Sequence, residues 1–373
     1  MSWAILNKKF TNFAQDDERF NKEGRMKKHR YINGAELITN FKKYYPDASV
    51  FNLPTTYRCA RAICEAGNRI AVRIDQTVIN TANKSAGKII KLPIFDTQSD
   101  EAEFVCRQAI KIFNGTSQTI KILYRTNAQS VMFQLFLIKQ NIPFSINQNN
   151  SIFNTKEVKL AIACCRFVTE YDNLDIDSKA NTINDMRPLL SPYSKKLLYG
   201  TLTDMRKSET DVLTGELGIK HEPVLNDLED IMEMLAGKKP MQIVNAISKM
   251  DCMKDFSDSA GDNLIGIAEF LNCCKNMTEI DNLIAEISRP RCVPAEERVI
   301  SLSTVHGSKG LEADNVFVTG LSDDIFPHVL GTKSEELNLA YVAITRARET
   351  LYLSGFSSFG SNTYNKHSYM EMI

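Results

Sequence analysis

The chain has 373 residues, more than one ordinary domain holds, so two or three folding units are expected. Its 45 lysines and arginines balance 45 aspartates and glutamates, which excludes a global pull onto nucleic acid and leaves such binding to a local groove. Nine cysteines with no C-x-x-C and no Cys/His spacing of the zinc type read as buried free thiols in a reducing compartment, and no metal site is expected.

The first residues, MSWAILNKKFTNFAQDDERF, lack a basic-then-apolar signal layout. No run approaches the roughly 18 apolar residues of a membrane span, so a cytoplasmic protein is expected. Residues 1–52 are polar, with a basic stretch KEGRMKKHR at 22–30 that reads as a solvated face, then a helix from Ala35 to Tyr44. Next, ASVFNL, KIIKLPIF and TIKILYRT read as strands, and Arg58–Ile70 and Ala128–Gln140 as helices. Between about Tyr171 and Arg291 the strand signal stops. PVLNDLEDIMEMLAG, PMQIVNAISKM, NLIGIAEFLNCC and EIDNLIAEIS carry apolar residues at helical spacing instead. Strands return as RVISLSTV, NVFVTGL and TLYLSGF, with a helix from Glu335 to Arg346 between the last two. The pattern is an α/β domain with a mainly parallel sheet, interrupted by an all-α insertion.

Parallel sheets bind ligands beyond the carboxyl ends of their strands. That rule directs attention to Arg125, Asn127, Gln129 and Ser130 after TIKILY, to Thr304, His306, Lys309 and Glu312 after RVISLS, and to Tyr57-Arg58 after SVFNL. Arg346 and Arg348 end the segment that begins with Glu335-Glu336. Taken singly, each has an ordinary role: Arg58 as a helix-start ion pair, Arg346 as a complement to a helix dipole. A phosphate-cradling G-x-x-x-x-G-K-[ST] loop is absent from the sequence, and Ser85-Ala86-Gly87-Lys88-Ile89 lacks its upstream glycine and its Ser/Thr.

Order and spacing together go further. LPTTYRC (53–59), ILYRTNAQS (122–130), STVHGSKGLEADNVFVTGL (303–321) and EELNLAYVAITRARETLYL (335–353) closely resemble the second half of the UvrD/Rep/PcrA helicases, DNA-translocating ATPases of superfamily 1. The resemblance runs from about residue 34 to the end. It implies a RecA-like second helicase domain of the P-loop NTPase fold in two parts, 53–171 and 293–373, around a helical insertion at 172–292, with 1–52 a remnant of the first RecA-like domain.

By resemblance, Tyr57 stacks on adenine, Arg58 and Arg346 reach the γ-phosphate as catalytic cations, and Glu312 accepts a hydrogen bond from the ribose. Arg125, Asn127, Thr304 and His306 face DNA, and Phe359 in SSFGSNTYNKHSYMEMI offers a ring to a base. Movement 3′ to 5′ along single-stranded DNA is implied too. The family's Asn-Tyr-Arg-Ser is Thr56-Tyr57-Arg58-Cys59 here, and its Glu-Glu-Arg-Arg-Leu is Glu335-Glu336-Leu337-Asn338-Leu339. The ATP phosphate loop and magnesium ligands belong to the first RecA-like domain. Only Gly34-Ala35-Glu36 and a poor match at Gln15-Asp16-Asp17-Glu18-Arg19 correspond to it. A helicase half completed in trans by a Walker-containing polypeptide is therefore expected, and inactive alone. The alternative is a non-catalytic module that holds single-stranded DNA or a protein, which would have no reason to keep Tyr57, Arg58, Glu312 and Arg346.

Overall fold

The computed structural model describes residues 41–47, 49, 53–74, 80–84, 86–146, 151–289, 298–308 and 311–373. The chain divides into two compact units, 1–52 and 53–373. In the first, the described part contains a single helical turn, Phe41–Tyr44, at the end of the expected helix. The basic stretch at 22–30, the matches at Gln15–Arg19 and Gly34–Glu36, and all but the edges of the ASVFNL strand lie outside the described residues.

The second unit opens with β1 (Thr55–Thr56), which pairs in parallel with β2 (Thr81–Ala82) across helix α1 (Arg61–Ala71). Its main sheet has six parallel strands: β3 (Lys88–Phe95), β4 (Ile120–Tyr124), β5 (Phe144–Ile146), β6 (Ile300–Thr304), β7 (Ala313–Val318) and β8 (Ala347–Phe356). They lie in the order β3-β8-β7-β4-β6-β5. Helices α2 (Gln98–Gly115) and α3 (Ser130–Lys139) flank β4 in sequence. Between β5 and β6 come α4 (Lys156–Thr169), α5 (Ile176–Asp185), α6 (Pro192–Ser208), α7 (Glu222–Leu235), α8 (Pro240–Ile247), α9 (Ala260–Asn272) and α10 (Met277–Ser288). Helix α11 (Lys333–Ile344) joins β7 to β8. Two further strands, β9 (Ser358–Phe359) and β10 (Asn362–Thr363), form a small hairpin.

The sheet is covered on both faces, so its middle strand is buried throughout, as the apolar run IKILY requires. Alternation splits that strand between two cores. Ile120, Ile122 and Tyr124 join Ile300, Leu302 and Phe317 under Val105, Ala109 and Met132. Leu123 faces the other way, with Val316, Val318 and Leu351 under Ile63, Ile70, Leu337 and Ala343 of α1 and α11. The first core runs without a break into the insertion through Leu160, Ile183, Leu228 and Ile267. The helices between β5 and β6 are therefore packed onto the sheet as part of one apolar interior. Each such buried aliphatic contributes about 1.5–3 kcal/mol.

The exposed edge strand β3 carries Lys88, Lys91 and Pro93, which block pairing with another chain. Where β3 begins, Gly87 has φ +63°, and a Cβ there would lie 2.3 Å from that of Ala60. Only glycine lets the segment before α1 lie against the sheet at this point.

Candidate functional site

The expected site residues fall into two groups at opposite ends of the strands. At the amino ends, Ala313 of β7 and Ala347 of β8 are register partners, and the Ala313 amide donates to the Arg346 carbonyl at 3.1 Å. Glu312 and Arg346, one residue earlier on each strand, are thereby brought side by side. The Ala60 amide donates to the Arg348 carbonyl at 2.9 Å, which draws Tyr57 and Arg58 to the same place. Glu312 pairs with Arg58 Nε at 2.6 Å and lies 3.6 Å from Arg348 Nε.

Two guanidiniums thus flank one carboxylate. Arg346 is only 8 % exposed, and among the described residues its side chain makes one hydrogen bond, from Nε to the Val342 carbonyl at 3.1 Å. Burial, and then the charge of Arg58, hold its pKa below the ordinary guanidinium value, with Glu312 opposing. Tyr57 is 69 % exposed. The group presents excess positive charge beside an open aromatic ring, which suits an anion attached to a planar base.

This edge departs from the expectation that polar groups gather at carboxyl ends. Glu312 was grouped with Thr304 and His306 because it follows them closely in sequence. Parallel strands, however, must be joined by a crossover. Because β6 and β7 both run parallel to β4, Thr304 and His306 lie at the carboxyl edge where β6 ends, and Glu312 lies at the amino edge where β7 begins.

At that carboxyl edge Tyr124 and Thr304 are register partners, and the Val305 amide donates to the Tyr124 carbonyl at 2.9 Å. Just beyond, Asn127 lies in the 3-10 turn Asn127–Gln129 and exposed His306 in the turn His306–Ser308. Thr304 is half-buried, and its Oγ1 accepts from the Gly307 amide at 3.1 Å. Gln129 is fully buried and shapes the first turn: its Oε1 accepts from the amides of Arg125 at 2.9 Å and Thr126 at 3.0 Å.

Two expected DNA contacts are placed differently. Arg125 is bound in a bidentate ion pair with Glu336, with Nη2 to Oε1 at 2.6 Å and Nε to both oxygens at 3.1 Å. Glu336, 1 % exposed, also accepts from the His328 amide at 2.9 Å. The guanidinium of Arg125 is therefore committed inside the protein rather than turned to a DNA backbone. Phe359 is 1 % exposed, with its ring 5.7 Å from that of Phe356 in a cluster with Ala128, Ile325 and Tyr364. Its ring has no open face for a base, because the hairpin β9–β10 folds it into the interior.

Sequence reasoning missed the residues that hold this edge in shape. Three glutamates each accept from a loop amide at 2.9 Å: Glu101 from Gly320, Glu269 from Gly360 and Glu336 from His328. Burial raises the Glu101 carboxyl to about 7, against the lowering effect of the Gly320 N–H. Burial also raises Glu269. The adjacent pair Glu335-Glu336 proves to be two devices. Glu335 closes a capping box with Thr332 at the start of α11, and Glu336 holds Arg125. The one available signal was an acidic residue at a position where helical spacing points into the core.

Among the described residues no group of three or more His, Cys, Asp or Glu could hold a metal ion. Glu312, the carboxylate at the amino edge, is already engaged by guanidiniums. These residues do not fit magnesium, and no magnesium ligand is assigned to them.

Comparison with known proteins agrees with this architecture. Residues 51–184 and 202–358 match the family model described as UvrD-like helicase C-terminal domain. The chain is 28 % identical over 363 residues to the ATP-dependent DNA helicase PcrA of Staphylococcus aureus, an alignment that covers 87 % of this chain and 49 % of that protein. It is 26 % identical over 375 residues to the protein of the same name from Staphylococcus epidermidis, covering 90 % of this chain and 51 % of the relative. The chain therefore spans about half the length of these relatives.

Proposed function

Because the chain belongs to the UvrD-like helicase C-terminal domain family, we propose that it is the second half of an ATP-dependent DNA helicase, closing a nucleotide cleft whose phosphate loop lies outside these 373 residues. The observation that carries this reading is the amino-edge group: Arg58 and Arg348 against Glu312, buried Arg346, and the exposed ring of Tyr57. ATP, as the substrate, supplies the phosphoryl group that is cleaved. Tyr57 offers its ring to the base. Arg58 and Arg346 stabilise negative charge as it grows on the phosphoryl oxygens, a contribution worth roughly 10³ to 10⁵ in rate for an arginine finger. Glu312 keeps Arg58 oriented and leaves an acceptor oxygen for a sugar hydroxyl.

The carboxyl edge offers Asn127, Thr304 and His306 to single-stranded DNA. Their hydrogen-bonding groups and neighbouring backbone suit contacts that tolerate any sequence. Helix α11 joins the two edges, with Glu336 near its start and Arg346 just past its end. Its twelve residues span about 18 Å. Movement in the 3′ to 5′ direction is the polarity that the resemblance implies.

The test is ATP hydrolysis with and without single-stranded DNA, by the purified chain and by a mixture with a polypeptide carrying the phosphate loop. The expected result is negligible turnover alone and DNA-stimulated turnover in the mixture. Substantial turnover by the chain alone would refute the reading.

A further inference from the structure

Among the described residues, six buried side-chain atoms have no hydrogen-bond partner, and four of them lie together at the carboxyl edge: Gln98 Oε1, Glu101 Oε2, Gln129 Nε2 and Ser354 Oγ. All four residues are at most 1 % exposed. Leaving so many polar atoms unmatched in one place is costly.

Contacts around Gly320 and Leu321 bring the four together. Glu101 Oε1 accepts from the Gly320 amide at 2.9 Å, and a Cβ on Gly320 would lie 2.1 Å from Gln129 Nε2. The Leu321 amide donates to the Ser354 carbonyl at 2.9 Å, and Gln98 Nε2 donates to the Gln129 carbonyl at 3.3 Å. Leu351 and Leu353 of β8 face the core under α1 and α11, so alternation turns Ser354 to the other face, which α2 covers with Gln98 and Glu101 on its first turn. Burial raises the Glu101 carboxyl to about 7, against the Gly320 amide and then the Ser354 hydroxyl. That hydroxyl therefore lies beside the carboxyl, short of hydrogen-bond geometry.

The other bonds of each amide fix what its unmatched atom can do. Gln129 Oε1 already accepts from the Arg125 and Thr126 amides, so Nε2 is left as a donor. Gln98 Nε2 already donates, so Oε1 is left as an acceptor. The set is two acceptors, one donor and one hydroxyl. A cation would suit the oxygens but be opposed by the Gln129 N–H. A water molecule, with two hydrogens to give and two lone pairs to receive, matches all four.

We propose that Gln98, Glu101, Gln129 and Ser354 form a binding site for one internal water, which ties the Asn127–Gln129 turn to α2 and to the ends of β7 and β8. Gln129 is the positioning residue of the group. Its Oε1 shapes the turn that carries Asn127, and its Nε2 is anchored through the water. The turn is thereby held from behind, whatever ligand it meets in front.

The first test is a crystal structure of the full chain, grown at pH 8 and soaked in rubidium chloride. The expected result is one peak about 2.7–3.2 Å from at least three of the four atoms, with no anomalous scattering from rubidium. No peak, direct bonds among the four side chains, or rubidium at the peak would overturn the proposal. The second test is amide hydrogen exchange of the full chain, comparing Arg125 and Thr126 with Ile122 and Leu123 of β4. Ser354→Ala and Gln98→Met each remove one partner of the water. Each is expected to speed exchange at the two turn amides about fivefold, the worth of one hydrogen bond, and to leave the strand amides unchanged. If either variant speeds the strand amides as much as the turn amides, or speeds neither, the four groups serve only general stability and the proposal falls.

Discussion

The two edges of the sheet are built on opposite electrostatic plans. At the amino edge, Arg58 and Arg348 pair with one carboxylate, and buried Arg346 makes a single side-chain hydrogen bond among the described residues. At the carboxyl edge half-buried Arg125 is held by Glu336 in a bidentate pair, and the loops are pinned by glutamates accepting from backbone amides. The amino edge gathers guanidiniums in excess of carboxylates, whereas the carboxyl edge commits its guanidinium to an internal pair. Charge that waits for a ligand and charge that holds a scaffold are told apart by their partners, not by residue type.

The largest expected effect breaks the amino edge without unfolding it. Arg346→Ala in the chain, combined with a polypeptide that carries the phosphate loop, lowers DNA-stimulated ATP turnover by about 10³-fold or more, while the melting temperature stays within a few degrees. Retained turnover would remove Arg346 from the mechanism. At the carboxyl edge the order is reversed. Glu336→Ala leaves half-buried Arg125 without its partner, at a cost of about 3 kcal/mol, the low end for a buried pair, readable by urea denaturation. The double replacement Arg125→Met with Glu336→Met costs much less. Equal losses in single and double variants would show that the pair is not the cause.

A pH profile sharpens the same contrast. The Glu101 carboxyl is raised to about 7 in the folded chain from an ordinary 4.5. Between those values the folded state holds a proton that the unfolded state has released, so stability falls as pH rises from 4.5 to 7 and the penalty is complete above 7. The shift corresponds to on the order of 3 kcal/mol. Glu101→Gln, which keeps an acceptor for the Gly320 amide, flattens that slope in urea melts at several pH values. The smallest effect belongs to the exposed ring: Tyr57→Ala weakens nucleotide binding by about 1–3 kcal/mol, the usual range for base stacking, and leaves stability unchanged.

Much of this was legible in the sequence because long apolar runs specify buried parallel strands. KIIKLPIF, IKILY and TLYLSGF lie where periodicity puts them. The two-residue strands β1, β2, β9 and β10 were not, since so short a segment becomes a strand only through its tertiary neighbour. Phe359 lies among serines and glycines and reads as exposed, yet the hairpin turns it inward onto Phe356. Arg125 looked available because its partner is 211 positions away.

The division of ligands between the two edges can be tested directly by amide hydrogen exchange on the full chain, with oligo-dT and with inorganic tripolyphosphate added separately. The account predicts that DNA slows exchange at 125–130 and 303–308, and that tripolyphosphate slows it at 57–60 and 346–348. Protection of the amino edge by DNA, or of one and the same edge by both ligands, would contradict it.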